Sequence, residues 1–443
     1  MKKYTKYKHS DNDWLGEIPD HWLITRLKFL GDAIGGLTYS PNDIVDDEDS
    51  GTLVLRSSNI QNDKLDLSDN VYVKMDISDK LTLKKGDILI CSRNGSKHLI
   101  GKNICIDERM EGNSFGAFMM VFRSKHWRFL YQYFNSPIFT SQSALFLTST
   151  INQLTSGTLN NFVIAQPPEE EQTHIARYLD YKTNEIDTLI SNKQKLIELL
   201  KEERTATINH AVTKGINPKV KLKPSGIEWL GDIPEHWELK KLKYVAKINP
   251  VKSNIEFNKE SDEEVVFLPM EKVSEQGQIN QTLKKKISEV SSGFTYFERD
   301  DIIVAKITPC FENGKGALLD SLETDFGFGS TEFHTIRATN LILKEFIYFL
   351  TKSEKFMTIG EAFMTGSAGQ KRVPTNFIKE FKIGLPSIDE QKIIIEFIQK
   401  EQNRIELIVT KTEQEIELLK EYKTALISEV VTGKVDVRNE VIG

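Results

Sequence analysis

The chain states one frame twice, and that duplication limits what it can fold into. DWLGEIPDHW at Asp13–Trp22 returns as EWLGDIPEHW at Glu228–Trp237, an offset of 215 residues from Trp14 to Trp229. A second pair closes each half. QPPEEEQTHIARYLDYKTNEIDTLI at Gln166–Ile190 answers to LPSIDEQKIIIEFIQKEQNRIELIV at Leu385–Val409, with an offset of 219 from Gln172 to Gln391. A chain of 443 residues is too long for a single hydrophobic core, so it divides, and the repeat marks where. The expected order is a domain over 1–168, a long helix over 169–216, a second domain over 217–386, a second helix over 387–433 and a tail over 434–443.

From Glu170 to about Thr213 no glycine or proline interrupts the chain, and apolar residues recur at Ile175, Leu179, Ile186, Leu189, Leu196, Leu200 and Thr207/Ile208. The second segment repeats the pattern at Ile394, Ile398, Ile405, Ile408, Ile416, Leu419 and Leu426. Alternating steps of three and four describe a coiled-coil seam, and a helix of ~40 residues spans ~60 Å. Pro167, Pro168 and Pro386, each followed by acidic residues, suit helix starts, whereas Gly215 and Gly433 suit helix ends. An antiparallel pair buries both seams. It sets two globular domains at opposite ends of a rod, related by a pseudo-twofold axis.

Between tag and helix, residues 23–165 and 238–384 read as mixed α/β, with strand-like runs near Thr52–Leu55, Asp87–Cys91, Met119–Phe122, Val265–Leu268 and Ile302–Ala305. GDILI at Gly86–Ile90 aligns with DDIIV at Asp300–Val304, and VFR at Val121–Arg123 with TIR at Thr335–Arg337. Each such strand runs into a polar loop, Cys91–Asn103 or Ala305–Ala317, and a second polar loop, Thr150–Phe162 or Thr365–Phe377, precedes the closing strand. Groove reading needs side chains of this kind. Arg93 or Lys306 reaches guanine O6/N7, and Asn94, Asn313 or Gln370 pairs with adenine. Ser96, Ser156 and Thr308 add hydroxyls, while Lys97, Lys102, Lys315, Lys371 and Arg372 suit phosphates.

The net charge of −6 argues against a free-standing nucleic-acid binder until its location is considered. Segments 169–216 and 387–443 carry −2 and −4, so the remainder is neutral and DNA contact by the intervening domains stays open. The three cysteines form no metal pattern and suit reduced thiols. No run of 18 apolar residues suggests a membrane span, and MKKYTKYKHSDNDW lacks an apolar signal core, so a cytoplasmic location is expected. Gly95–Asn103 fails the Walker spacing, Gly327–Glu332 lacks a third dinucleotide glycine, and the strings at Asn217 and Asn249 do not form the Asn-Pro-Pro-aromatic loop of amino-methylating enzymes. His21 and His236 belong to the repeated tag and suit packing. No catalytic set emerges.

Tag, variable domain and helix, given twice, resemble the DNA-specificity subunit of type I restriction-modification systems. The resemblance rests on Gly-x-Ile-Pro-x-His-Trp at Gly16–Trp22 and Gly231–Trp237, and on Glu-Gln-x-x-Ile helix openings ending at Ile175 and Ile394. The helix ends RTATI at Arg204–Ile208 and KTALI at Lys423–Ile427 complete it. It covers nearly the whole chain. It implies a bacterial, non-catalytic subunit of mixed α/β fold, in which two target-recognition domains each read half of a split double-stranded DNA site. The helices would set the spacer and dock two modification subunits, with restriction subunits joining the complex. S-adenosylmethionine, ATP and magnesium would sit on those partners, with no cofactor on this chain. A stand-alone methyltransferase or nuclease, or a structural coiled-coil adaptor, are the alternatives. The four extra residues between tag and helix in the second half are expected in Asn376–Pro386, against Asn161–Pro167.

Overall fold

The computed structural model describes residues 2–61, 64–145, 153–250, 256–367 and 369–442. Two compact units are present, one of Met1–Lys193 with Glu413–Gly443, the other of Gln194–Thr412. The helices are α1 (Trp127–Phe134), α2 (Pro137–Ala144), α3 (Ser156–Asn160), α4 (Glu169–Lys214), α5 (Ile287–Val290), α6 (Lys344–Thr351), α7 (Glu354–Ala362), α8 (Thr375–Glu380) and α9 (Ile388–Val431).

Each unit is built around one apolar strand. Ile88–Cys91 lies between strands Asn103–Cys105 and Met119–Arg123, with Asp32–Gly35 beyond, all antiparallel. Ile302–Ala305 has the same neighbours in the same order: Gly316–Leu318, then Phe333–Ala338, then Ala246–Ile248. All four residues of each central strand are buried. Side chains alternate across a strand, so Ile88 and Ile90 join the core shared with the helices while Leu89 and Cys91 join a second core. Ile302 and Val304 divide from Ile303 and Ala305 in the same way.

A second four-stranded sheet covers the far core in each unit. Its common element is a parallel pair, Thr52–Leu55 with Ser114–Phe115 and Glu264–Leu268 with Phe326–Gly329. The halves diverge at its outer strands, where Tyr72–Val73 carries Ile44–Val45 in the first, but Thr295–Glu298 pairs with Phe326–Gly329 in the second.

An ion pair to a buried carboxylate recurs in the first sheet of each unit. Arg123 donates from Nε and Nη2 to both oxygens of Asp87 at 2.8 and 2.7 Å, and Arg337 does the same to Asp301 at 2.7 Å each. Asp87 and Asp301 are both 1% exposed. A buried carboxylate needs such a partner, because desolvation otherwise makes its charge costly.

The tag is bolted to the first turn of the following helix. Trp22 is fully buried and donates its indole N–H to Glu171 Oε1 at 3.1 Å, Tyr4 donates to the same oxygen, and His21 Nε2 lies 2.9 Å from Oε2. Burial beside that carboxylate pushes the Tyr4 hydroxyl far above its ordinary value. In the second unit His236 meets Glu390 at 2.8 Å. Each helix ends on a glycine of left-handed φ, Gly215 at 71° and Gly433 at 72°. A Cβ at Gly433 would lie 2.4 Å from Pro19, which sets how closely the helix end approaches the tag.

The long helices have 46 and 44 residues. They run antiparallel in both units: Asp187 pairs with Lys423 at 2.7 Å and Lys193 with Glu415 in the first, Glu203 with Arg404 at 2.5 Å in the second. The expected seam needs correction. Ile175, Leu179, Ile186 and Leu200 are buried, but Leu189 is 44% exposed and Leu196 41%. Ile190 and Ile197 face inward instead. On α9, Ile394, Ile398, Ile405 and Ile416 are buried, Ile408 is half-buried beside buried Val409, and half-buried Leu419 packs on the first unit's core. An α-helix turns every 3.6 residues, so a strict 3.5-residue seam drifts by ~20° per heptad, and the inward face slips by one residue.

The extra residues of the second half also lie elsewhere than expected. Leu27 N donates to Phe162 O and Leu242 N to Phe381 O, so the closing strands Val163–Gln166 and Lys382–Leu385 match without insertion. The offset grows from 214 at Arg123/Arg337 to 217 at the starts of α1 and α6, in the turn before α6. It reaches 219 at the starts of α3 and α8.

Candidate nucleic-acid interface

Three backbone segments converge where each central strand ends. In the first unit Ser92 N and Arg93 N donate to Phe118 O at 3.0 and 3.1 Å, Leu154 N donates to Ser92 O at 2.8 Å, and Arg93 bridges to Gln153. In the second, Lys306 N donates to Glu332 O at 2.9 Å, Val373 N donates to Lys306 O at 2.8 Å, and Ile307 bridges to Arg372. The hydrogen bonds therefore equate Ser92 with Lys306, Arg93 with Ile307, Phe118 with Glu332, and Gln153 with Arg372. The backbone frame is common and the side chains on it differ.

Several expected contact residues stand open on this frame. Arg93 is exposed, with its guanidinium carbon 5.2 Å from the centre of the Phe118 ring, itself 58% exposed. Lys97 is exposed in the short turn Lys97–Leu99, and Ser96 and Ser156 are half-buried, Ser156 opening α3. Asn94 Oδ1 accepts from Ser96 N at 3.0 Å, while Nδ2 donates to Ser57 Oγ at 3.3 Å. Gln370 and Lys371 are exposed. Thr308 Oγ1 donates to Lys371 O at 3.0 Å and accepts from its N–H at 3.1 Å. Lys306 is half-buried.

Others are engaged within the protein. Lys102 Nζ donates to Ile60 O at 2.7 Å and Lys315 Nζ to Met270 O at 3.3 Å, so each lysine ties the turn after the parallel-pair strand to the strand-exit loop. Asn313 donates to Glu275 at 2.9 Å. Arg372 is clamped by Glu332, with Nε and Nη2 both 2.9 Å from its oxygens, and that guanidinium holds the Glu332 carboxyl below its usual range. Of the loops named from sequence, residues 150–152 and 368 lie outside the described residues.

Sequence reading missed the supports beneath these loops. Asn103, buried, donates to Gly101 O and Phe134 O at 3.1 Å each. The corresponding junction in the second unit is held by Lys352, whose Nζ donates to Gly314 O at 2.6 Å, Glu275 O at 2.8 Å and Gly316 O at 3.1 Å. His334 lies beneath the second loop, and its Nε2–H donates to Val373 O at 2.9 Å. Burial holds its ring below the ordinary histidine value. Phe118 and Glu332 were also missed. Only the offset of 214 that aligns Arg123 with Arg337 signals that they correspond.

Among the described residues no group of three or more His, Cys, Asp or Glu side chains is placed to hold a metal ion. None of their helices is long and apolar enough to cross a membrane. What the surface offers is exposed Arg93, Lys97, Gln370 and Lys371 with half-buried hydroxyls between them, on loops tied by backbone hydrogen bonds, groups of the kind that polar recognition uses. The two units thus carry one backbone frame with different side chains upon it.

The chain belongs to the type I restriction modification DNA specificity domain family, which it matches over residues 19–199 and 234–418. It is 39% identical over 171 residues to the type I restriction enzyme EcoAI specificity subunit of Escherichia coli, covering 38% of this chain and 28% of that one. To the EcoEI specificity subunit of the same organism it is 37% identical over 210 residues, 46% of this chain and 34% of that one. The matched part thus spans about a third of those relatives' length. The fold is shared with a solved chain of a type I R-M system, with a TM-score of 0.68 and 13% identity, covering 94% of this chain and 99% of that one.

Proposed function

We propose that this chain is the DNA-recognition subunit of a type I restriction-modification complex. Each of the variable domains, 23–165 and 238–384, reads one half of a bipartite, asymmetric double-stranded site. The paired helices set the spacer and dock two modification subunits, to which restriction subunits add. S-adenosylmethionine, ATP and magnesium belong to those partners, and the chain itself does no chemistry. The observation that carries this reading is the corresponding hydrogen-bonded frame at the two strand exits, bearing Arg93, Phe118 and Gln153 in one half and Ile307, Glu332 and Arg372 in the other. A frame that repeats while its presented side chains differ suits two readers of different sequence.

The test is to co-purify the chain with its modification subunit and map methylation on genomic DNA. A two-part motif is expected, and exchanging residues 23–165 for those of another family member should change one half only. Change in both halves, or in neither, would overturn the modular assignment. Binding of S-adenosylmethionine by the purified chain alone would favour a stand-alone methyltransferase.

A further inference from the structure

The correspondence of Phe118 with Glu332 bears on how the two arginines are presented. Both positions use their backbone carbonyl in the same way, accepting from the residue that leaves the central strand. Their side chains do opposite things. Phe118 projects an exposed ring against which the Arg93 guanidinium lies, at 5.2 Å. No acidic partner is within ion-pair distance of Arg93 among the described residues. Glu332 instead takes the Nε and Nη2 of Arg372, and Gln370 O accepts from its Nη1 at 3.2 Å. Side-chain exposure is 42% for Arg372 and 24% for Glu332, so this pair sits at the surface as a unit.

We propose that positions 118 and 332 are specificity-determining residues, the first presenting Arg93 to a guanine and the second withholding Arg372 from one. The inference rests on the DNA-recognition reading above. A ring under a guanidinium fixes its plane while leaving the N–H edge outward, and a planar fork of donors matches guanine O6 and N7. A carboxylate on the same fork takes the donors that the base needs. The Arg372–Glu332 pair then offers a carboxylate edge able to accept from the amino group of cytosine or adenine.

The test uses the full chain assembled with its modification subunits, and reads the methylated motif on genomic DNA for Arg93→Gln, Arg93→Lys, Phe118→Ala, Phe118→Glu and Glu332→Gln. Loss of one bidentate guanine contact lowers discrimination by roughly 5- to 150-fold. Arg93→Gln, Arg93→Lys and Phe118→Glu are expected to relax one guanine position in a single half-site by that factor. Phe118→Ala should relax the same position less. Glu332→Gln should alter the other half-site alone. All of these positions are at the surface, so unfolding is not expected, and unchanged thermal midpoints would verify it. Unmoved base preferences, or a uniform fall in methylation at all sites, would overturn the inference, since uniform loss is what a phosphate contact gives. Absence of any two-part motif with the unaltered chain would instead defeat the DNA-recognition reading itself.

Discussion

Residue by residue, the two halves solve the same local problem with different chemistry, and the junction behind the strand-exit loop is the sharpest case. In the first unit a neutral amide, Asn103, bridges Gly101 and Phe134. In the second that position is Gly316, which has no side chain, and Lys352 reaches across from the end of α6. Burial, with Arg204 adding repulsion against the attraction of Glu275, pulls the Lys352 ammonium down from 10.5 to about 8. Tyr348 lies under it, 5.4 Å away. A depressed lysine contributes stability that is full above its unfolded value and lost as pH falls through the folded one. Lys352→Met leaves three carbonyls without this donor, and a buried acceptor left unsatisfied costs about 1–3 kcal/mol. The variant's deficit in urea unfolding should therefore be larger at pH 10 than at pH 7.5. An equal or reversed deficit would rule out this account.

Among the elements, the long helices show how far a sequence pattern reaches. Their existence, their limits near Pro168 and Gly215, and the burial of Ile175, Leu179, Ile394 and Ile398 follow from the spacing of apolar residues. The inward face in the middle does not, because Leu189 and Ile190 are adjacent and equally apolar, and only the packed helix decides between them. Replacing buried Ile186 by alanine is expected to cost ~2–4 kcal/mol, whereas Leu189→Ala should cost under ~0.5 kcal/mol. Comparable losses in chemical denaturation would restore the original seam. The loops divide similarly. That Arg93 and Gln370 belong to polar loops is legible, but the engagement of Lys102 and Lys315 is not. Their acceptors, Ile60 and Met270, are some forty residues away in the chain and are main-chain carbonyls, which leave no mark on composition.

At the scale of the whole molecule, the first unit is assembled from both ends of the chain. Leu426, Ile427, Val430, Val431, Val435 and Val437 lie in the same core as Trp22, Ile175 and Leu179. Asp436 N donates to Lys2 O at 2.8 Å, and the His174 ring lies 2.7 Å from Val437 O. The second unit, by contrast, is one continuous stretch, Gln194–Thr412. Removing residues 413–443 should therefore expose the first unit to limited proteolysis while the second resists it. Equal resistance of both would contradict the shared core.

This arrangement also orders events during synthesis. A ribosome delivers the chain from its N-terminus at ~5–20 residues per second. Among the described residues every strand of the first unit emerges before the second unit begins, yet Trp22 and the apolar face of the first part of α4 lack full cover until residues 426–437 arrive. The second unit can close as soon as Thr412 is free. Within residues 1–443, the unit whose strands emerge first is thus the one completed last, and a nascent chain stalled or clipped after Thr412 carries a closed second unit and a first one still open to chaperones and proteases.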